Sequence, residues 1–110
     1  MPWRLPLALT ASIAASLCLS APASAAPQTH VIVIDKMKFG PAPSKLRFGD
    51  TILWVNRDLF RHSATAANKS FDVDLPAGAK ARTIIRSSGA IAFSCKYHPG
   101  MRGTLQVTGR

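Results

Sequence analysis

The sequence predicts an all-β protein, an antiparallel sandwich or barrel of about seven to eight short strands. Several short segments alternate apolar and polar residues with a period of two, the pattern of half-buried strands. Glycine and proline separate these segments, and no segment has the apolar spacing of an amphipathic helix. Together these observations exclude an all-α or α/β fold.

The first half of the chain is expected to contain three strands. Residues 30–34 are rich in β-branched side chains, which favour strands. Residues 44–48 alternate and end at a Gly49-Asp50 turn, and residues 51–56 form the next strand with Trp54 in the core. The chain is therefore predicted to be β from its first folded residues.

The second half continues the same pattern. The expected strands are residues 70–75, 80–86, 91–96 and 103–109. In the third of these, Cys95 shares a face with Ile91 and Phe93, so its side chain should point toward the core. Leu105 and Val107 are predicted to point inward from the last strand.

The amino-terminal segment has the layout of an export signal. Arg4 precedes an apolar stretch over residues 5–19, and small residues follow at 20–25. We interpret residues 1–25 as a removed signal peptide and residues 26–110 as one domain in the periplasm. The apolar stretch is shorter than the ~20 residues that span a bilayer, so no stable membrane insertion is expected.

The chain is strongly basic. It has 14 lysines and arginines against 5 aspartates and glutamates, a formal net charge of +9. Because the basic residues are scattered through strands and turns, and the protein is expected to be exported, nucleic acid is a poor candidate partner. An acidic protein surface fits the charge better.

Cys95 is the cysteine that needs an explanation. The other cysteine, Cys18, lies in the predicted signal peptide and would be lost with it. A lone thiol in an oxidising compartment is buried and inert, paired between molecules, or bound to metal.

The segment around Cys95 contains three residue types that bind metals. Cys95, His98 and Met101 follow one another at three-residue intervals in the connection between the last two strands. Between them, Pro99 restricts the backbone and Gly100 permits unusual angles, so a tight, stiff loop is expected. The three side chains can therefore converge on one point.

A fourth ligand must come from elsewhere, and His62 lies in the connection after the Trp54 strand. Taken singly, each candidate has an ordinary explanation: Cys95 or Met101 as a core residue, a histidine as an exposed loop residue. As a set, one thiolate, two imidazoles and a thioether match blue copper better than zinc, which rarely uses methionine. We predict one copper ion, cycling between Cu(II) and Cu(I).

The pattern Cys95-x-x-His98-x-x-Met101 resembles the cupredoxin family, and its short spacing is similar to the amicyanin-like members. Further matching motifs follow in the family order: Met37-Lys-Phe39, Gly49-Asp-Thr51, Trp54-Val-Asn56, Pro76-Ala-Gly78 and Met101-x-Gly103-x-Leu105-x-Val107. The resemblance implies a Greek-key sandwich with His62, Cys95 and His98 as equatorial ligands and Met101 as the axial ligand. It also implies that His98 is the route by which electrons leave, and that the protein acts as a monomer between redox proteins, which the charge predicts to be acidic.

Two positions depart from the amicyanin-like pattern. Ser63 follows His62 where those proteins usually have asparagine, which ties the two ligand loops together. A hydroxyl has less bridging capacity than an amide, so the resemblance does not fix the hydrogen bonding around the Cys95 sulfur or the reduction potential. Tyr97 occupies a position that is often proline.

An apolar collar around His98 is a further hypothesis for partner docking. Its candidate members are Phe39, Leu59, Phe60, Tyr97 and Pro99, ringed by Arg57, Arg61, Lys96 and Arg102. The alternative is that Phe39 and Phe60 simply belong to the core.

Three functions remain open from the sequence. The first is a diffusible one-electron carrier, the second a copper carrier or buffer for delivery or detoxification, and the third a β-sandwich adhesion module without metal. An enzyme is not expected, because four protein ligands leave copper no open position for a substrate. Reversible redox cycling favours the first, and rapid copper transfer favours the second.

Overall fold

A computed structural model describes residues 2–17 and 26–110, and all regular structure in these residues is β. The nine strands are β1 (Thr29–Asp35), β2 (Lys38–Phe39), β3 (Leu46–Arg47), β4 (Thr51–Asn56), β5 (His62–Ala66), β6 (Asp72–Leu75), β7 (Lys80–Ile84), β8 (Gly89–Ser94) and β9 (Arg102–Thr108). The all-β sandwich predicted from the sequence is confirmed.

The strands form two sheets. One has the order β2-β1-β4-β7 and the other β3-β9-β8-β5-β6. Two neighbouring pairs, β1 with β4 and β3 with β9, are parallel, whereas the sequence predicted an antiparallel arrangement. The reason is the path of the chain: β3 lies in the other sheet, so β4 returns beside β1 by a crossover and can run in the same direction.

The strand count also differs slightly from the prediction. Two of the nine strands, β2 and β3, contain only two residues each. A third, β5, begins at His62, which the sequence placed in a connection. The alternation test missed β5 because four of its five residues are buried, so the two faces do not differ in polarity.

The core lies between the sheets around Trp54, which is fully buried. Its indole Nε1–H donates to Thr83 Oγ1 at 3.0 Å. The Phe93 ring meets Trp54 edge-on at 5.2 Å between centroids, and Phe39 meets Phe93 at 4.8 Å. Phe39 is therefore partly buried and packs against the core, so it belongs with the core residues and not with the docking collar.

Gly103 permits this aromatic packing at the β8–β9 pair. It lies directly opposite Phe93, and a Cβ added to it would lie 2.8 Å from Phe93 Cε1 and closer still to Cζ. A side chain at position 103 would thus displace the Phe93 ring. The ends of β8 and β9, between which the predicted metal loop lies, depend on this close approach.

The amino-terminal residues lie outside the sandwich. Residues 2–17 form no strand or helix and their side chains are exposed. The described part of the chain contains no helix long and apolar enough to cross a membrane. The predicted cleavage region at residues 20–25, with Met1 and Cys18, lies outside the described residues.

We expect Gly103→Ala to lower the free energy of unfolding by roughly 1–3 kcal/mol, because the methyl group overlaps the Phe93 ring. Gly100→Ala is the matched control, since nothing lies within 4 Å of a Cβ at that position. Denaturant unfolding of both metal-free variants tests this. Equal stability of the two variants would show that Phe93 can move aside without cost.

Candidate metal centre

The loop of residues 95–101 joins β8 to β9. The last strand pair before it is Ser94 with Arg102, and the backbone N–H of Cys95 donates to the Met101 carbonyl at 3.1 Å. Within the loop, the N–H of Met101 donates to the His98 carbonyl at 2.9 Å. These bonds close the loop on itself, so its shape is determined by backbone contacts.

Three of the predicted ligand residues come together at the start of this loop. Cys95 is buried, and its Sγ lies 3.8 Å from Nδ1 of His62 and 3.8 Å from Nδ1 of His98. All three donor atoms lie within 4.8 Å of one another. His62 is fully buried and His98 is partly exposed, so the group reaches the surface on the His98 side.

Met101 ends the same loop and is buried. Its carbonyl and N–H are the groups bonded to Cys95 and His98, which places its backbone beside both residues. The side chain is available as the soft thioether that the sequence predicted for the fourth position.

The sulfur of Cys95 receives a hydrogen bond from β5. The β5–β8 ladder pairs only Thr65 and Ala66, so the N–H of Ser63 has no partner in β8. It donates instead to Cys95 Sγ at 3.4 Å. Ser63 Oγ accepts from the N–H of Lys96 at 2.8 Å, so the two ligand segments are tied together. The Ser63 hydroxyl therefore makes one bridge between the loop and β5.

His62 is oriented by a carboxylate. Its Nε2 lies 2.7 Å from Asp58 Oδ2, which leaves Nδ1 facing Cys95. The Asp58 carboxylate also accepts the N–H groups of Lys36 and Met37 at 2.7 and 2.9 Å. Both turn residues have positive φ, 51° and 62°, so the β1–β2 turn aims two adjacent N–H groups at one carboxylate.

Burial acts to raise the pKa of Asp58, but its contacts have the larger effect. The N–H of Met37, the His62 imidazole and the N–H of Lys36 together bring the pKa below its ordinary value of 3.8. Asp58 is therefore ionised at neutral pH and accepts from the Nε2–H of His62. This fixes the tautomer in which Nε2 carries the hydrogen atom, so Nδ1 keeps a free lone pair that can bind a metal.

Asn56 orders the segment that leads to His62. Its side chain is buried and its Nδ2 donates to the carbonyls of Phe60 at 2.8 Å, Leu75 at 2.9 Å and Pro76 at 3.2 Å. Its Oδ1 accepts the N–H of Asp58 at 2.9 Å. The amide thus binds backbone groups before His62 and at the end of β6, and it positions Asp58.

The surroundings of Cys95 favour the thiolate. Burial acts to raise its pKa, but the N–H of Ser63, the imidazoles of His62 and His98 and the N–H of Tyr97 outweigh burial. The pKa falls from 9.0 to about 6. The site therefore offers an anionic sulfur at neutral pH, the form that binds metals.

Sequence reasoning missed Asp58. A carboxylate four residues before a candidate histidine is visible in the sequence, but its role depends on two N–H groups from a turn 22 and 21 residues earlier. These N–H groups reach Asp58 only when the β1–β2 hairpin is folded, so no local sequence pattern predicts the contact.

The donor set selects among metals. One cysteine sulfur and two imidazole nitrogens converge, with a buried methionine in the same loop. Structural zinc sites use four cysteine or histidine ligands, whereas a His₂Cys set with a weak axial methionine is the blue-copper arrangement. Among the described residues this is the one cluster of three or more His, Cys, Asp or Glu side chains with metal-binding geometry. The residues present fit one copper ion.

The chain belongs to the cupredoxin family. The sequence profile of the Cupredoxin-like domain matches residues 8–107, nearly the whole chain. Among curated proteins, none matches this sequence.

Solved structures with a similar fold include two amicyanin variants in their Cu(I) forms. One carries a methionine-to-alanine substitution, with 24% identity, a TM-score of 0.62, and coverage of 78% of this chain and 88% of that one. The other carries a proline-to-glycine substitution, with 25% identity, a TM-score of 0.62 and the same coverage. A purple cupredoxin from Nitrosopumilus maritimus has 19% identity and a TM-score of 0.61, over 71% of this chain and 98% of that one. These likenesses confirm the predicted cupredoxin, amicyanin-like fold.

We expect Asp58→Asn to weaken copper binding by roughly 10–100-fold, because the amide no longer fixes the His62 ring as an anionic acceptor. The reduction potential should rise, since a negative charge that favours Cu(II) is removed. Competition titration and voltammetry measure the two effects.

Asp35→Asn is the matched control for this variant. Asp35 accepts the same N–H of Lys36, at 3.0 Å, but it is exposed at the end of β1 and has no hydrogen bond to His62. If both variants bind copper equally, the carboxylate of Asp58 does not orient His62.

Proposed function

We propose that this protein is a type 1 copper electron carrier, with His62 Nδ1, Cys95 Sγ, His98 Nδ1 and Met101 as the ligands of one copper ion. The observation that carries the proposal is the convergence of the three donor atoms within 4.8 Å between β5 and the 95–101 loop, with two of the three residues buried. Bound copper supplies the one-electron couple between Cu(II) and Cu(I).

The protein's own residues keep this site stiff and dry. His62 is held by Asp58, Cys95 by Ser63 and by the closed loop, and both side chains are buried. None of these bonds depends on the metal, so the donor atoms need little movement when the charge at the site changes. A small structural change between two redox states is what a fast electron carrier requires.

His98 provides the path to the surface. It is the partly exposed member of the donor group, and its ring lies 6.3 Å from the ring of Phe60, whose exposed fraction is 59%. We define the docking face as Leu59, Phe60, Tyr97 and Pro99, which are all exposed. Leu59 adjoins Phe60 in the chain, and Tyr97 and Pro99 adjoin His98. Exposed large apolar side chains grouped at one site are typical of a protein contact surface. Because Phe39 lies in the core, it is not part of this face.

The positive charges near the docking face are of two kinds. Arg61 pairs with Asp74 and Lys96 pairs with Asp72, each at 3.1 Å, so these two are largely neutralised. Arg57 and Arg102 have no carboxylate within ion-pair distance among the described residues. We infer that these two arginines attract an acidic redox partner, and that the protein docks as a monomer.

We further propose that residues 1–25 are an export signal and that residues 26–110 act in the periplasm as a single domain. The described part of this segment, residues 2–17, contributes no strand, in agreement with a removable leader. With four protein ligands on copper, no position remains for a substrate, so the protein is proposed to carry electrons without catalysing bond chemistry.

Copper titration of residues 26–110 tests the function. We expect one equivalent of Cu(II) to produce an intense visible charge-transfer band that ascorbate bleaches and ferricyanide restores, and Cys95→Ser to abolish it. Ser94→Ala, one residue earlier on β8, is the control that should keep the band. Tight Cu(I) binding without colour, with rapid transfer to a chelator, would instead identify a copper carrier.

Charge reversal tests the role of the two arginines. We expect Arg57→Glu and Arg102→Glu to slow oxidation of the Cu(I) protein by anionic hexacyanoferrate(III) several-fold at low ionic strength, and to speed oxidation by a cationic cobalt complex. Salt should diminish both effects. Arg110→Glu makes the same charge change beside Phe48, away from the site, and should alter neither rate. Equal effects of all three variants would show that only net charge matters.

A further inference from the structure

A closed circuit of polar side chains begins and ends at Lys96, the residue after Cys95. The N–H of Lys96 lies 2.8 Å from Ser63 Oγ, which lies 3.0 Å from Thr65 Oγ1. Thr65 Oγ1 lies 2.9 Å from Asp72 Oδ1, and the other carboxylate oxygen of Asp72 lies 3.1 Å from Lys96 Nζ. We call these four residues, Ser63, Thr65, Asp72 and Lys96, the Ser63 circuit.

The direction of every hydrogen bond in the circuit follows from the chemistry of its ends. A backbone N–H can only donate and an ionised carboxylate can only accept. Thr65 therefore donates its hydroxyl proton to Asp72, which leaves its oxygen to accept from Ser63. Ser63 in turn accepts from the N–H of Lys96. The three bonds from the Lys96 N–H through Ser63 and Thr65 therefore all point toward Asp72, and the Lys96 ammonium donates to the same carboxylate from the other side. Along the three-bond chain each bond polarises the next, so Asp72 strengthens the acceptor that faces the Lys96 N–H.

The strand register explains why these residues meet. Ser63 and Thr65 are two positions apart on β5 and so lie on one face. Thr65 is paired directly with Asp72 on β6 and with Ser94 on β8, the residue that precedes Cys95. The circuit therefore connects an edge strand to the start of the metal loop.

Burial changes sharply along the circuit. Ser63 is fully buried, whereas the side chains of Asp72 and Lys96 are 53% and 48% exposed. The Lys96 ammonium and the Thr65 hydroxyl lower the pKa of Asp72 below its ordinary value of 3.8, so the carboxylate is ionised at neutral pH. An exposed charge is thus linked through two hydroxyls to the backbone on either side of the Cys95 sulfur.

We propose that Thr65 and Asp72 are positioning residues for the copper site: acting through Ser63, they hold the N–H of Ser63 against Cys95 Sγ and thereby raise the reduction potential. This inference rests on the proposed function. A hydrogen bond to the sulfur disperses its negative charge and so favours the less positive Cu(I) state. Loosening the circuit weakens this bond at 3.4 Å and lowers the potential.

Thr65→Val is the decisive variant because valine has the shape of threonine, suits a strand and removes both bonds of the hydroxyl. In the copper-loaded protein we expect a lower midpoint potential and a shifted charge-transfer band. Thr65→Ser retains the hydroxyl and should restore both. Thr104→Val makes the same change at an exposed position of β9 in the same sheet and should change neither.

A metal-free measurement separates this inference from the proposed function. In the metal-free protein, Thr65→Val should speed hydrogen exchange at the N–H groups of Ser63 and Lys96 roughly three- to tenfold, the size expected for one lost hydrogen bond. Faster exchange in a protein that does not bind copper would sustain the circuit while refuting the electron-carrier proposal. Unchanged exchange would overturn the circuit whatever the copper result.

The contribution of Asp72 is isolated by combining Asp72→Asn with Thr65→Val. A double-mutant cycle cancels the direct effect of the lost charge on the potential and leaves the coupling between the two side chains. We expect a non-zero coupling. Additive shifts would overturn the role of Asp72, and an unchanged potential in Thr65→Val, despite faster exchange, would overturn the role of the circuit in setting the potential.

Discussion

The hydrogen bond from the Ser63 N–H to the Cys95 sulfur is the contact on which the metal centre depends. It joins the first residues of β5 to the loop between β8 and β9, and it exists because the β5–β8 ladder stops at Thr65. Continued pairing would have used the Ser63 N–H within the sheet. The open end of the ladder leaves space for the thiolate and a donor to meet it.

Backbone N–H groups that are not paired within a sheet also act near His62. The β1–β2 turn has two residues with positive φ, and their N–H groups both reach Asp58. The carboxylate then sets the orientation of His62. The bond from Ser63 to the Cys95 sulfur and the bond from Asp58 to the His62 ring thus both depend on backbone groups that are not paired within a sheet. The aromatic core around Trp54 holds the strands that carry these groups.

The sequence was sufficient to predict the fold class and to predict which residues meet at the candidate site. Alternation placed Cys95 on the core face, and the intervals in the 95–101 loop predicted its convergence with His98. It could not assign β5, because small buried residues on both faces of that strand erase the alternation. It could not predict Asp58, Thr65 or Asp72 as neighbours of the site either. The contacts of Asp58 depend on the distant β1–β2 turn. Those of Thr65 and Asp72 depend on strand register, and a one-residue shift in register would move each side chain to the other face of the sheet.

The placement of the chain ends has a practical consequence. The start of β1 pairs with the start of β4, and Gln28 and Thr108 line the same surface cavity. The first and last residues of the folded domain therefore lie at the same end of the sandwich. His62 comes after the far end of β4, and the 95–101 loop comes before the start of β9, whose other end carries Thr108. A tether to an electrode, or a genetic fusion, at either terminus would leave the His98 side facing outward. The domain can therefore be joined to other components without covering the surface proposed for electron transfer.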